Sequence, residues 1–122
     1  MTKMILSCIL IGENFSPSAL EKSMNIFFHQ KNEKGEIATI GRFKGRPLPY
    51  GSCVVCDESN QEIVMDFLEK NLDILKKNGI DNIFLRLDVI YESQCNFELD
   101  PNFLSRIVKF SIPLSISCYE NN

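Results

Sequence analysis

The sequence is poor in the residues from which metal and cofactor sites are usually assembled. It has no tryptophan and only one histidine, His29. A zinc site needs about four ligands, mostly cysteine and histidine. One histidine and a single CxxC pair, Cys53 and Cys56, do not supply the usual set. The sequence therefore predicts neither a metal site nor a bound cofactor.

The five cysteines are an odd number, which fits reduced thiols better than a disulfide framework. Redox-active CxxC pairs lie at helix N-termini, where the helix dipole lowers the pKa of the first thiol. Cys53 and Cys56 instead lie in a β-branched stretch, and residues three apart on a strand point to opposite faces. We expect structural thiols here. An enzyme that uses Cys53 or Cys56 with His29 is the less favoured alternative.

Long apolar runs and an excess of basic residues are also missing. No stretch approaches the ~20 apolar residues of a membrane-spanning helix. The apolar core that precedes Cys8 spans about four residues, fewer than the roughly 7–15 of a signal peptide. The net charge is −3, so the chain as a whole lacks the basic footprint of nucleic-acid binders. We expect a cytoplasmic protein that binds no membrane.

Apolar periodicity predicts one long helix over residues 59–77, on which the rest of the fold is organised. Ser59 and Glu62 fit a capping box at its start, and Asn78 with Gly79 provides the stop. At 100° per residue, the apolar side chains gather on one broad face that is expected to cover a sheet. These side chains are Ile63, Val64, Phe67, Leu68, Ile74 and Leu75.

Two shorter helices are predicted from Ser16 before Pro17 and from Asp100 before Pro101, because each pair fits an N-cap and first helical position. The first helix is expected to end near residues 25–28. Its predicted inward side chains are Leu20, Met24 and Phe27, and those of the second are Phe103, Leu104, Ile107 and Val108.

Extended segments complete the predicted fold. They cover residues 4–11, 36–40, 52–56, 82–91 and 112–119. Arg86 and Asp88 share one face of the fourth segment and are expected to be exposed to solvent. The order βαββαβαβ predicts a single α+β domain over residues 1–122. We expect a curved, mainly antiparallel sheet of about five strands with three helices.

Charge is segregated along the chain. Residues 31–46 contain five basic and two acidic residues, +3, whereas residues 57–73 contain six acidic and one basic, −5. Part of the acidic segment forms a column on the long helix. The column consists of Glu62, Asp66, Glu69 and Asp73. It is either a solvated face, balanced by nearby lysines and the helix dipole, or a docking face for a positively charged partner.

The basic segment supports an alternative function. Arg42, Lys44 and Arg46 could contact RNA phosphates while Phe43 stacks on a base. Three or four cations are more often a solvated loop, so an RNA-associated role ranks second.

Two capped segments carry a resemblance to a known family. The first is Ile11-Gly12-Glu13-Asn14-Phe15-Ser16-Pro17-x-x-Leu20, and the second is Phe97-x-Leu99-Asp100-Pro101-x-Phe103-Leu104 with Ile112-x-Leu114-x-Ile116-x-x-Tyr119. On these residues the chain resembles a bacterial family known as domain of unknown function 4279. The resemblance implies a small cytoplasmic α+β protein, and by analogy an immunity protein that guards against a toxin.

The hypothesis ranked first is therefore a binding protein without catalytic activity, an immunity protein that neutralises a nuclease-type bacterial toxin. An acidic face would cover the basic active site of the toxin domain. The candidate partner-binding residues are Glu58, Glu62, Asp66, Glu69, Asp73, Asp88 and Glu92.

Overall fold

A computed structural model describes residues 2–121 and contains three helices and a five-stranded sheet. In chain order the elements are β1 (Lys3–Gly12), α1 (Pro17–Met24), β2 (His29–Asn32), β3 (Gly51–Cys56), α2 (Gln61–Lys77), β4 (Asn82–Tyr91), α3 (Pro101–Phe110) and β5 (Leu114–Glu120). The predicted α+β class and the order βαββαβαβ are confirmed.

The strands are arranged β2-β3-β1-β4-β5 in a mixed, mostly antiparallel sheet. β3 lies between β1 and β2 in this order, and β1 lies between β3 and β4. β5 then pairs in parallel with β4 through the α3 crossover. β1 is therefore central, as its continuous apolar sequence predicts, and residues 6–10 are all buried.

The caps of the two shorter helices form as predicted. Ser16 Oγ accepts a hydrogen bond from the Ala19 amide at 3.3 Å, and left-handed Asn25 ends α1. Asp100 Oδ1 accepts a hydrogen bond from the Asn102 amide at 2.7 Å at the start of α3. Short polar side chains at these positions satisfy backbone donors that have no partner within the helix.

The start of α2 differs from the predicted capping box. Asn60 Oδ1 accepts a hydrogen bond from the Glu62 amide at 3.0 Å, and so Asn60 caps the helix. Ser59 Oγ instead donates to Asp57 Oδ1 at 2.6 Å. The prediction failed because Asp57 provides a charged acceptor two residues before Ser59, and hydrogen bonds to charged acceptors are the stronger ones.

The buried face of α2 is rotated relative to the predicted face. Four side chains are fully buried, and they are Val64, Met65, Leu68 and Leu75. Ile63 and Ile74, which were predicted to be buried, are each 47% exposed. Both isoleucines lie at the margin of the apolar arc, about 100° or more from the centre of the four buried side chains.

The second strand lies earlier in the chain than predicted. β2 is His29–Asn32, whereas residues 36–40 contain only an isolated bridge between Ile37 and Pro47. Lys34 and Gly35 form a turn between these two segments, and Gly35 has a positive φ of 91°. The polar sequence of β2 gave no strand signal, because an exposed edge strand needs no apolar alternation.

Several predicted core positions are exposed. Phe27 is 71% exposed, and the neighbouring Phe28 is buried in its place. On α3, Ile107 is buried as predicted, but Leu104 is 41% and Val108 is 74% exposed. β5 begins at Leu114 rather than at residue 112, and every residue in it is exposed or half-buried.

The described chain divides into two compact units. The first comprises residues 2–8, 56–72 and 84–121, and contains α3, β5, most of β4 and most of α2. The second comprises residues 9–55 and 73–83, and contains α1, β2 and most of β3. In the second unit, Ser16 Oγ and the Ser18 amide donate to Glu33, at 2.5 and 3.0 Å, and tie the start of α1 to the segment after β2.

Candidate functional site

Three of the predicted carboxylates meet one arginine in the first unit. Glu62, Asp66 and Glu69 lie on one face of α2, at positions i, i+4 and i+7. Arg106 on α3 donates from Nη2 to Asp66 Oδ1 at 2.9 Å and to Glu69 Oε2 at 2.8 Å. Arg106 Nη1 also donates to Glu62 Oε2. We call Glu62, Asp66, Glu69 and Arg106 the acidic cluster.

The acidic cluster keeps an excess of negative charge. Three carboxylates share one guanidinium, which leaves a formal charge of −2. The carboxylate side chains are 61–66% exposed, whereas that of Arg106 is 24% exposed. The hydrogen bonds, with that to Asp66 the largest contribution, raise the pKa of Arg106 above its usual value. The cation is therefore permanent, and the carboxylates face solvent around it.

The rotation of α3 explains why Arg106 reaches α2. Ile107 and Phe110 are buried and fix the inward face of the helix. Arg106 lies one residue, or about 100°, from Ile107, and therefore points along the sheet rather than away from it. Helical spacing predicts only partners on α2 itself for the column, and so Arg106 on α3 was not predicted. The signal in the sequence was the position of Arg106 between two predicted core residues, Leu104 and Ile107, on the helix that follows α2.

A small cavity lies beside the acidic cluster. It has a volume of about 220 Å³. It is lined by Leu68, Leu72 and Phe110 together with the charged side chains Glu69, Arg106 and Lys109. An apolar floor with charged walls suits a side chain that carries both an aliphatic stem and a charged head.

The other predicted site residues do not join the cluster. Glu58 is 71% exposed, and its Oε2 lies 3.8 Å from Lys3 Nζ. Asp73 is exposed on the part of α2 that belongs to the second unit. Glu92 is exposed in the segment that follows β4. The structure therefore brings together three of the seven predicted partner-binding residues.

Asp88 is the last of the seven predicted partner-binding residues. The expectation that it is exposed to solvent is wrong. Its side chain is 17% exposed, its Oδ2 lies 3.3 Å from Arg86 Nε, and its Oδ1 is buried without a hydrogen-bond partner in the described residues. Leu87 lines a cavity with Gln61 of α2 and Phe103 of α3, so the next residue, Asp88, lies on the opposite sheet face. Asp88 cannot contribute to a surface formed by α2 and α3.

In the basic segment, the Phe43 ring is contacted by side chains of the same chain. The guanidinium groups of Arg42 and Arg46 lie 5.5 and 5.6 Å from the centroid of the Phe43 ring, and the Tyr50 ring packs edge-on at 5.9 Å. Lys44 is exposed. Because its cations and a tyrosine surround it, the Phe43 ring is not presented as an open stacking platform for a base.

Cys53 and His29 do not form a nucleophile and base. Burial raises the pKa of Cys53 to about 12, and the residue is 1% exposed. His29 pairs with Val54 across β2 and β3, so His29 and Cys53 point to opposite faces of the sheet. Cys56 is half-buried and is also a free thiol. Among residues 2–121, no group of three or more His, Cys, Asp or Glu side chains is placed so that it could hold a metal ion.

Comparisons with family models, with curated proteins and with solved structures found no match for this chain. The resemblance to domain of unknown function 4279 therefore stays a prediction. None of the helices within residues 2–121 is both long enough and apolar enough to span a membrane.

Proposed function

We propose that this chain is a binding protein without catalytic activity, and that the acidic cluster docks a basic protein surface. The observation that supports the proposal is the ratio of three exposed carboxylates to one guanidinium. Ion pairs at a surface this exposed contribute only about 0–1 kcal/mol each. The carboxylates are therefore free to interact with a second cation without a large loss of stability.

Arg106 also prepares the carboxylates for binding. It holds Glu62, Asp66 and Glu69 around one point, so a lysine or arginine of the partner meets acceptors that are already oriented. Preorganisation reduces the side-chain entropy that is lost on association. The residual charge of −2 increases the association rate with a basic surface, and salt should weaken this effect.

The adjacent cavity provides a place for an anchor. Interfaces draw most of their affinity from a few side chains that fill desolvated pockets, with polar contacts around them. The apolar floor of Leu68, Leu72 and Phe110 can take the stem of an arginine or lysine whose head group reaches Glu69. We expect the partner to present such a residue at the centre of its basic surface.

The specific partner that we propose is a bacterial toxin domain of the nuclease type, and the chain would be its cytoplasmic immunity protein. A nuclease active site is basic because it binds phosphates. An acidic surface that covers this site blocks it and requires no cofactor. The support for this step is the charge of the cluster together with the resemblance stated above, which is an analogy.

Growth protection tests the proposal. The C-terminal domain of the protein encoded next to this chain is expressed in a bacterial host with or without the chain. We expect the chain to restore growth. The triple variant Glu62→Lys, Asp66→Lys, Glu69→Lys should not protect, whereas Glu98→Lys, which changes an exposed acidic residue outside the cluster, should protect like the parent.

Thermal unfolding of each purified variant provides the control for folding. A folded triple variant that protects as well as the parent would show that the cluster is not the docking surface. If the neighbouring product is harmless, or the parent chain gives no protection against it, the immunity role is wrong.

A further inference from the structure

The two edges of the sheet differ in how they are protected. β2, at one edge, has only four residues, contains Lys31, has a positive φ of 47° at Gln30, and pairs with an irregular register. Short length, lysine and irregular pairing all prevent an edge strand from adding another strand. This edge is closed to further pairing.

β5, at the other edge, has none of these protections. It has seven residues, contains no lysine, arginine or proline, and pairs with β4 over seven consecutive positions without a bulge. Its outer row of backbone N–H and C=O groups is therefore regular, and such a row is a template for an additional strand. Every side chain of β5 is exposed or half-buried.

Exposed apolar side chains lie beside this edge. Arg106 and Val108 flank the buried Ile107 at about 100° on either side. Because Arg106 contacts α2, Val108 faces away from α2, towards the outer edge of the sheet. Leu104 lies one turn earlier on the same flank of α3. Val108 is 74% exposed and Leu104 is 41% exposed.

Ile116 extends the same apolar surface onto β5. It pairs with Leu87, whose side chain lines a cavity with residues of α2 and α3, so Ile116 points to the helix-covered face. It is 44% exposed there. An unpaired strand edge and an apolar helix flank thus form one surface, which we call the β5 edge surface (Leu104, Val108 and residues 114–120).

We propose that the β5 edge surface binds a second copy of this chain, and that the two β5 strands pair antiparallel about a two-fold axis at Ser117. An axis perpendicular to the sheet keeps the helices of both copies on one side. Ile116 then lies opposite Cys118 of the second copy, and Glu120, the only charged residue of β5, lies opposite Leu114. The pairing is self-complementary and brings no like charges together.

The spacing of the helices supports this occupant. Strands are about 4.8 Å apart, and a helix that connects neighbouring parallel strands lies above the midpoint between them. In each copy, α3 therefore lies about 4.8 Å from the two-fold axis, measured across the strands. The two α3 helices are then about 10 Å apart, which is a normal helix packing distance. Leu104 and Val108, four residues apart, form the ridge that fills this gap.

The surface is small, which indicates a weak and reversible contact. A strand of seven residues spans about 24 Å, and the sheet with one helix layer is about 15–20 Å deep. Two such faces bury roughly 700–950 Å² in total, less than the ~1,200 Å² at which standard specific interfaces begin and in the range of weak, transient contacts. We therefore expect a reversible dimer with a micromolar dissociation constant.

Sedimentation velocity under reducing conditions tests the dimer between about 2 and 500 μM protein, a range that brackets micromolar affinity. The mass should rise from the 14.0 kDa of one chain towards twice that value. Val108→Lys should weaken the dimer at least tenfold. Ile40→Lys, at an 81% exposed position outside the surface, is the matched control and should behave like the parent.

A cross-link tests the register. In a Cys95→Ser, Cys118→Ser background, Ser117→Cys should form a disulfide-linked dimer, because residues opposite each other across an antiparallel pair are about 4.5–5.5 Å apart. Ser115→Cys should not, because the two copies of residue 115 would be about 13 Å apart.

A parent chain that remains a monomer at the highest concentration would overturn the proposal. So would equal loss of the dimer in Ile40→Lys and Val108→Lys, or equal cross-linking at positions 115 and 117. The flank of α3 that carries Val108 is opposite the flank that carries Arg106. Failure of the dimer therefore leaves the proposed docking function of the acidic cluster untouched.

Discussion

Replacing Arg106 by methionine should destabilise the protein in a salt-dependent way. Methionine keeps an unbranched apolar stem in place of the partly buried arginine stem but removes the cation. Three exposed ion pairs are lost, at about 0.2–1 kcal/mol each. The like charges on α2 also lose their counter-ion, at a cost of about 0.2–0.5 kcal/mol per neighbouring pair. Because the three ion pairs share one cation, their contributions are not additive, and we expect the free energy of unfolding to fall by about 1–2 kcal/mol at low ionic strength.

Urea and thermal unfolding measure this change. A loss of this size corresponds to a decrease in Tm of about 3–8 °C for a domain of this length. In about 1 M salt, where the Debye length is about 3 Å, the difference between parent and variant should shrink to less than about 0.5 kcal/mol. Lys109→Met is the matched control: it lies on the same helix and lines the same cavity, but makes no ion pair within residues 2–121. Equal stability of Arg106→Met and the parent at low salt would refute the electrostatic account of the cluster.

Three further predictions concern the fold. Gly79→Ala should lower the free energy of unfolding by more than about 2 kcal/mol in urea titration, because Gly79 has a φ of +83° and a Cβ there would lie 2.4 Å from Asn14 O. Asn60→Ala should cost about 1 kcal/mol by the loss of a helix cap, and Ser59→Ala should cost clearly less; the reverse order would restore the predicted capping box. The pKa of Cys53 is about 9 in the unfolded chain and about 12 in the folded chain. The free energy of unfolding should therefore fall as the pH rises from about 9 to 12, and equilibrium unfolding of Cys53→Ala should lack this component.

The sequence was sufficient for the parts of the fold that local physical chemistry determines. Asn82–Tyr91 was predicted to the residue because its apolar side chains alternate without interruption. The two Pro-containing helix starts were found because their caps act over three residues. His29–Asn32 was missed because its pairing with β3, rather than its own sequence, makes it a strand.

Only part of the candidate site could be predicted from the sequence. Periodicity placed Glu62, Asp66 and Glu69 on one face of α2 correctly, because helical geometry is local. The contact with Arg106 spans about forty residues of sequence and depends on how α2 and α3 pack. The same dependence on packing explains why Asp88, which alternation placed on an exposed face, is mostly buried beside Arg86.

The most direct test of the account is an NMR titration of the isotopically labelled chain with a short arginine-rich peptide at low salt. If the cluster is the docking surface, the largest amide shifts fall in residues 61–70 of α2 and around Arg106. These shifts should disappear in the triple variant Glu62→Gln, Asp66→Asn, Glu69→Gln. Shifts spread evenly over all acidic residues, or undiminished in the triple variant, would contradict the claim that three carboxylates around one arginine form a binding surface.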